Sequence, residues 1–234
     1  MLPEPPTDAA SVSRKDLGAV VFAIVLPSIV TWAYFFEADD ASPQGQTSIF
    51  GVAKFIQFAF PVAWVWWIQG RRWQRGPLRR DGVALGLVFG AVVAASAMAL
   101  FRLGISEAEF FGPAAEQIRD KVAGWGIEHG WQFFLLGAFY SLCHSWLEEY
   151  YWRWFVFAQL RLHISIPAAI VVSSLGFMAH HVLVLGKFFG PGHWATWFFS
   201  LCVAVGGAAW AWLYQRTGSL VGPWLSQMMV DAAV

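Results

Sequence analysis

The chain has 234 residues, of which 58% are hydrophobic, 18% aromatic and only 13% charged. Soluble domains carry about 25% charged residues, so this composition excludes an ordinary soluble domain and predicts an integral membrane protein. Basic and acidic residues are equal in number, 15 each, and no basic face of the kind that binds nucleic acid is visible. We therefore expect a lipid bilayer around the chain and no nucleic-acid partner.

The first half of the chain alternates between polar segments and long apolar runs. Residues 1–16 are polar and contain three prolines, which predicts a disordered tail. About 20 apolar residues suffice to cross a bilayer as a helix, and three such runs follow: Leu17–Phe36, Ile49–Gln69 and Gly82–Phe101. The third run is rich in Gly and Ala, whose small side chains allow helices to approach closely.

Residues 102–130 are too polar to cross a bilayer, but Pro113 opens a short apolar stripe over Ala114–Val122. We expect a short helix there at the membrane surface. Four further hydrophobic segments follow, over 131–157, Pro167–Leu185, Trp194–Tyr214 and Ser219–Val234. The prediction is an all-α, polytopic membrane bundle of about seven hydrophobic segments, with residues 17–234 forming a single domain.

The basic residues of the loops predict the orientation of this bundle. With a cytoplasmic N-terminus, nine Lys or Arg residues lie in inner loops and four in outer loops, as the positive-inside rule requires. Five of the nine stand in one loop: Arg71, Arg72, Arg75, Arg79 and Arg80. We expect an integral protein of a bacterial inner membrane with its N-terminus in the cytoplasm.

The apolar run 131–157 contains two adjacent acids, Glu148 and Glu149, and the base Arg153. A charge at the bilayer centre costs at least ~2.5–3.5 kcal/mol, so charged residues there usually face a polar interior. Glu149 and Arg153 are four residues apart in the favourable order for a helical ion pair. Glu148 is rotated by about 100° from Glu149, and His144 precedes it by one turn on the same face. The spacing predicts a supporting pair and a free carboxylate, beside a histidine that either orients this carboxylate or packs. The alternative is a purely structural pair, with Glu148 in contact with water alone.

Polar residues recur at a similar depth in three predicted spans. At 1.5 Å per residue, Glu148, His181, Gln227 and Asp231 lie roughly 15–27 Å from the inner turns. We expect these four side chains to share one layer well inside the membrane. His180 is rotated by 100° from His181, so we expect it to face elsewhere and to pack.

These residues carry a resemblance to the CAAX-protease and bacteriocin-processing (CPBP, or Abi) intramembrane proteases, which include the Rce1-like prenyl-protein endopeptidases. Glu148-Glu149-xxx-Arg153 is similar to the family's Glu-Glu-x-x-x-Arg, and Phe177-xxx-His181 to its Phe-x-x-x-His. The resemblance covers residues 140–234. It implies that Glu148 and His181 activate water, with Glu149 and Arg153 holding the first in place.

The third family motif, His-x-x-x-Asn, is replaced here by Gln227-Met-Met-Val-Asp231. The Gln227 amide can donate to an oxyanion, and Asp231 can do so if protonated or can orient Gln227. The leading hypothesis is a glutamate-type intramembrane endopeptidase that needs no cofactor and acts on a membrane-embedded or lipidated protein or peptide. Three alternatives remain: a zinc enzyme using Glu148, His181 and His144, a catalytically disabled scaffold, or a small proton-coupled transporter.

Overall fold

The computed structural model describes residues 14–37, 43–71 and 79–233, and these residues form helices joined by short connections. The α-helical segments are α1 Arg14–Trp32, α2 Pro43–Ala63, α3 Arg80–Leu100, α4 Phe111–Ala123, α5 Gly130–Phe139, α6 Ser145–Glu149, α7 Ala158–Leu160, α8 Ile166–Phe189, α9 Trp194–Thr217 and α10 Val221–Ala233. The all-α prediction is confirmed. Most of the predicted tail, part of the first loop, and Arg72 and Arg75 lie outside the described residues.

Five helical stretches among the described residues are long and apolar enough to cross a membrane. They are Arg14–Glu37, Gly45–Ile68, Arg80–Ile105, Ile166–Phe189 and Trp194–Thr217. Residues 130–160 are continuously helical but carry the charged stretch, and α10 has only 13 residues. The count of seven segments is therefore not confirmed. The predicted short helix is present as α4, and its place at a membrane surface stays a prediction.

Helix α1 begins at Arg14, three residues before the predicted start of the first span. Asp16 lies in its first turn, where a carboxylate interacts favourably with the helix dipole. The Asp16 carboxylate also accepts hydrogen bonds from Trp64 Nε1 at 3.0 Å and from Gln69 Nε2 at 2.9 Å. Gln69 in turn exchanges hydrogen bonds with Gln159. These contacts connect α1 and the end of the second span with α7.

We call the continuous helix of residues 130–160 the site helix. Its C-terminal half forms much of the core, where Tyr151, Phe155 and Phe157 are fully buried. The Tyr151 hydroxyl donates to the Ala23 carbonyl at 2.6 Å, which links the site helix to α1. The N-terminal part, α5, has no buried residue. The charged stretch therefore lies in the half of the helix that the bundle encloses.

Helices α3 and α10 pack against each other through small residues. A Cβ atom on Gly86 would collide with the carbonyl of Gly222, and one on Gly90 would lie 2.9 Å from Ser226 Cα. Gly82 faces Thr217 in the same row. The expectation that the third apolar run allows close helix approach is confirmed. This contact fixes α10, and with it the position of Gln227.

Candidate active site

Glu148 is the residue at which three helices meet. Its side chain is buried, and both carboxylate oxygens have polar neighbours. Oε2 accepts a hydrogen bond from Gln227 Nε2 of α10 at 2.6 Å. Oε1 lies 3.3 Å from His144 Nε2 on the site helix and 3.7 Å from His180 Nε2 on α8. A carboxylate in an apolar bundle needs such partners, since an unpaired buried charge is costly.

His180 and His181 both approach Glu148, although they are consecutive residues of α8. One ligand atom from each histidine and one carboxylate oxygen lie within 4.8 Å of one another. The expectation that His180 faces away from the site is therefore wrong. Two consecutive side chains can straddle one helix face, and each imidazole is long enough to reach the carboxylate between them. The two ring centroids are only 4.2 Å apart.

The two histidines are held in different ways. His181 Nδ1 lies 2.9 Å from the Phe177 carbonyl, and since a carbonyl only accepts, the neutral ring carries its proton on Nδ1. Its Nε2 then has a free lone pair, which can accept a proton or bind a metal. The His180 ring stacks almost parallel to Trp152, at 5.8 Å and 5°. Trp152 is one turn after Glu148 on the site helix and orients this second imidazole.

The Glu149–Arg153 pair lies behind Glu148, inside the bundle. Arg153 Nη1 is 2.8 Å from Glu149 Oε1, and both side chains are at most 2% exposed. Arg153 Nη2 also donates to the Gly207 carbonyl of α9 at 3.3 Å. Its guanidinium lies over the rings of Phe177 and Trp210, at 4.8 and 5.0 Å. Arg153 thus connects the site helix with α8 and α9, and the supporting role of the pair stays a prediction.

His144 lies one turn before Glu148 and next to its carboxylate, as its spacing predicted. Its ring also contacts the rings of Tyr140 at 5.1 Å and Phe58 at 6.1 Å. Asp231 follows Gln227 by one turn and is partly buried. No hydrogen bond or ion pair joins Asp231 to any residue within the described ranges. The structure therefore brings Glu148, His144, His180, His181 and Gln227 together, while Asp231 stays outside these contacts.

Gln227 contacts the carboxylate directly. A carboxylate only accepts hydrogen bonds, so the amide nitrogen faces Glu148 and the amide oxygen points away. The second N–H of that nitrogen is not needed by Glu148. Gln227 can therefore hold Glu148 and still offer a donor to another oxygen.

Two π-helical segments flank the acidic pair on the site helix, Tyr140–His144 and Tyr150–Phe157. Such wide turns are rare and occur mostly at functional sites. Nothing in the sequence spacing predicted them. His180 and Trp152 were also missed as site residues. Their only sequence signal was position: His180 is next to His181, and Trp152 is four residues after Glu148.

Glu148, His180 and His181 offer one oxygen and two nitrogen atoms to a metal ion. Zinc in catalytic sites is commonly held by three such protein ligands and a water molecule. The residues present therefore fit a zinc ion. The set differs from the predicted one because His180, and not His144, completes the cluster.

A comparison with known protein families finds a match for the C-terminal part of the chain. Residues 130–233 match the family model described as type II CAAX prenyl endopeptidase Rce1-like. No curated protein and no solved structure matches the chain. The match confirms the resemblance seen in the motifs, and it covers the site helix, both site histidines and Gln227. The five long apolar helices indicate an integral membrane protein.

We expect Arg153→Met to lower the unfolding midpoint of the detergent-solubilised protein. Removing one partner of a buried ion pair leaves an uncompensated charge, which typically costs ~3–5 kcal/mol. Glu148→Gln keeps the shape of the side chain, and its amide oxygen can still accept from Gln227, so this variant should melt close to wild type. The double variant Glu149→Gln/Arg153→Met should recover part of the loss. Equal melting of Arg153→Met and Glu148→Gln would contradict the supporting role of the pair.

Proposed function

We propose that this chain, whose residues 130–233 match the Rce1-like family, is an intramembrane endopeptidase of the glutamate type. Its substrate is a membrane-embedded or lipidated protein or peptide. The observation that carries the proposal is the buried carboxylate of Glu148, which is hydrogen-bonded by Gln227 and flanked by His144 and His180. We place the protein in a bacterial inner membrane with its N-terminus in the cytoplasm, as the basic loops favour.

Glu148 and His181 together activate water in this proposal. A water molecule between them loses a proton to the carboxylate or to His181 Nε2 as its oxygen attacks the peptide carbonyl. The tetrahedral intermediate then collapses when the same proton passes to the leaving nitrogen, which becomes the new amino terminus. His181 Nδ1–H keeps donating to the Phe177 carbonyl, so this ring presents Nε2 to the water throughout.

Gln227 has two tasks in this mechanism. One N–H keeps the Glu148 carboxylate in place, and the other is available to the oxyanion of the intermediate. Donors aimed at developing charge in a water-poor site are worth more than in water. His144 provides a further donor close to the carboxylate. The amide of Gln227 thus supplies a donor where the family motif has a histidine.

A zinc-dependent hydrolase is the second candidate, and the cluster of Glu148, His180 and His181 favours it. A zinc ion held there would make bound water more acidic. Gln227 and His144 would then position Glu148 from the other side. The membrane orientation favoured by the basic loops would be the same with zinc. The Glu149–Arg153 pair would also keep its supporting role.

Cleavage should depend on Glu148 and on the histidines as a unit. We compare the termini of membrane proteins by mass spectrometry in cells that produce wild type, Glu148→Gln, His181→Ala or the double variant. Glu148→Gln should remove the new termini, with a rate loss of ~10³-fold or more. The double variant should be little worse than either single one, because residues that act together are not additive. Termini that are unchanged by Glu148→Gln would refute the protease proposal.

Gln227→Ala should lower the cleavage rate by about 10²-fold with little effect on folding, as expected when one oxyanion donor is lost. Gln227→His restores a donor of similar reach and should be active. Both variants are assayed with the same membrane-protein termini, and unfolding midpoints serve as the control. If wild type is inert and Gln227→His cleaves, the chain is a catalytically disabled scaffold.

A chelator separates the two enzyme candidates. In the metal-free mechanism, exhaustive dialysis of the purified protein against EDTA leaves the rate unchanged, and elemental analysis finds no stoichiometric zinc. Loss of activity on chelation, with recovery on adding zinc alone, would establish the second candidate. His180→Ala should then lower the zinc content, because His180 is one of the three ligands.

A further inference from the structure

Lys54 is a basic residue in the middle of an apolar helix. It lies nine residues after the start and fourteen before the end of the candidate span Gly45–Ile68. At 1.5 Å per residue, this places its Cα about 14 Å from the nearer end. No ion pair or hydrogen bond joins Lys54 to the residues in the described part of the chain. An ammonium group at such depth normally faces a polar interior or a partner.

The Lys54 side chain is held by two aromatic rings of its own helix. Its Nζ lies 5.4 Å from the ring centre of Phe50 and 5.7 Å from that of Phe58, one turn to either side. Such cation–π contacts keep an ammonium in an apolar setting without a counter-ion. Phe58 also contacts the ring of His144 at 6.1 Å. The ammonium is therefore on the side of α2 that faces the site.

Other residues of α2 identify the opposite face. Val52, Phe55 and Ile56 are more than half exposed, as expected of residues in contact with lipid. Lys54, in contrast, is partly buried. It is the basic side chain that α2 contributes to the surroundings of Glu148.

Glu148 does not act as the ion-pair partner of this ammonium. Its carboxylate is engaged by Gln227, His144 and His180, and none of the ion pairs among the described residues includes Lys54. The ammonium thus has three N–H donors available on the face of α2 that carries Phe58, which contacts His144. A ligand that brings a carboxylate would form charge-assisted hydrogen bonds there, which are about twice as strong as neutral ones.

We propose that Lys54 binds a carboxylate group of the substrate and thereby selects peptide bonds close to that group. This inference rests on the proposed peptidase function and names its specificity-determining residue. The carboxylate is either the free C-terminus of the substrate or an acidic side chain near the cleaved bond. In both cases the ammonium that binds this carboxylate belongs to α2, outside the segment 130–233 that matches the family model.

Binding tests the role of Lys54 without requiring catalysis. The full chain in lipid nanodiscs is titrated with an N-palmitoylated tripeptide, Ala-Leu-Val, whose N-methylated amides resist cleavage. Three forms are compared: the free acid, the C-terminal amide, and the amide with aspartate in place of alanine. Tryptophan fluorescence reports binding, because Trp152 and Trp210 are near the site. We expect the free acid, the aspartate form or both to bind at least ~10-fold tighter than the neutral amide.

Lys54→Met should remove this preference by weakening only the charged forms, whereas Lys54→Arg should keep it. Lys15→Met is the matched control, since it removes a lysine from the start of α1. A preference for the free acid assigns the C-terminus as the source of the carboxylate, and a preference for the aspartate form assigns a side chain. Equal binding of all three forms to wild type, or equal weakening of all three by Lys54→Met, would overturn the proposal.

The two proposals fail separately. If Glu148→Gln leaves cellular termini unchanged but the charged probes still prefer wild type over Lys54→Met, the carboxylate site stands and the protease proposal falls. If cleavage depends on Glu148 but the probes bind without regard to charge, the protease proposal stands and the carboxylate site falls.

Discussion

The ion pair between Glu149 and Arg153 is the interaction on which the arrangement of the site depends. Two charges in an apolar bundle are tolerated only when they are paired and hydrogen-bonded. Their 2.8 Å contact meets the first condition, and the Gly207 carbonyl gives Arg153 a further acceptor. The aromatic faces of Phe177 and Trp210 enclose the guanidinium. The site helix is thereby connected to both α8 and α9, and Glu148 is left on the face that meets the histidines and α10.

Glu148 is stabilised in a different way, by neutral or weakly basic neighbours. An amide and two imidazoles surround its carboxylate. An arginine at contact distance would neutralise it. The amide belongs to α10. This helix packs closely against α3 because Gly86 and Gly222 have no side chains at the contact. Glycines far from the reacting groups thus determine whether Gln227 can reach the carboxylate.

The N-terminal helices α1 and α2 hold the site helix in position. Tyr151 and Tyr150 of the site helix donate to the carbonyls of Ala23 in α1 and Phe58 in α2. Further along, Gln159 hydrogen-bonds to Gln69, whose amide also holds Asp16. The candidate site residues come from the C-terminal part of the chain, whereas α1 and α2 position the helix that carries Glu148. In our proposal, α2 also contributes the ammonium group of Lys54, which binds a carboxylate of the substrate.

The sequence alone determined the helical class and the membrane character, and it predicted that His144 lies beside Glu148 and Arg153 beside Glu149. These features depend on composition and on spacing within one helix, where residues four apart always share a face. Only the tertiary structure decided that His180 approaches Glu148 beside His181, that Gln227 holds the carboxylate, and that Asp231 does not take part in these contacts. The same is true of Trp152, Lys54 and the π-helical turns. Each of these depends on how one helix is placed and rotated against another, and on side-chain torsions, which spacing along a single chain segment does not specify.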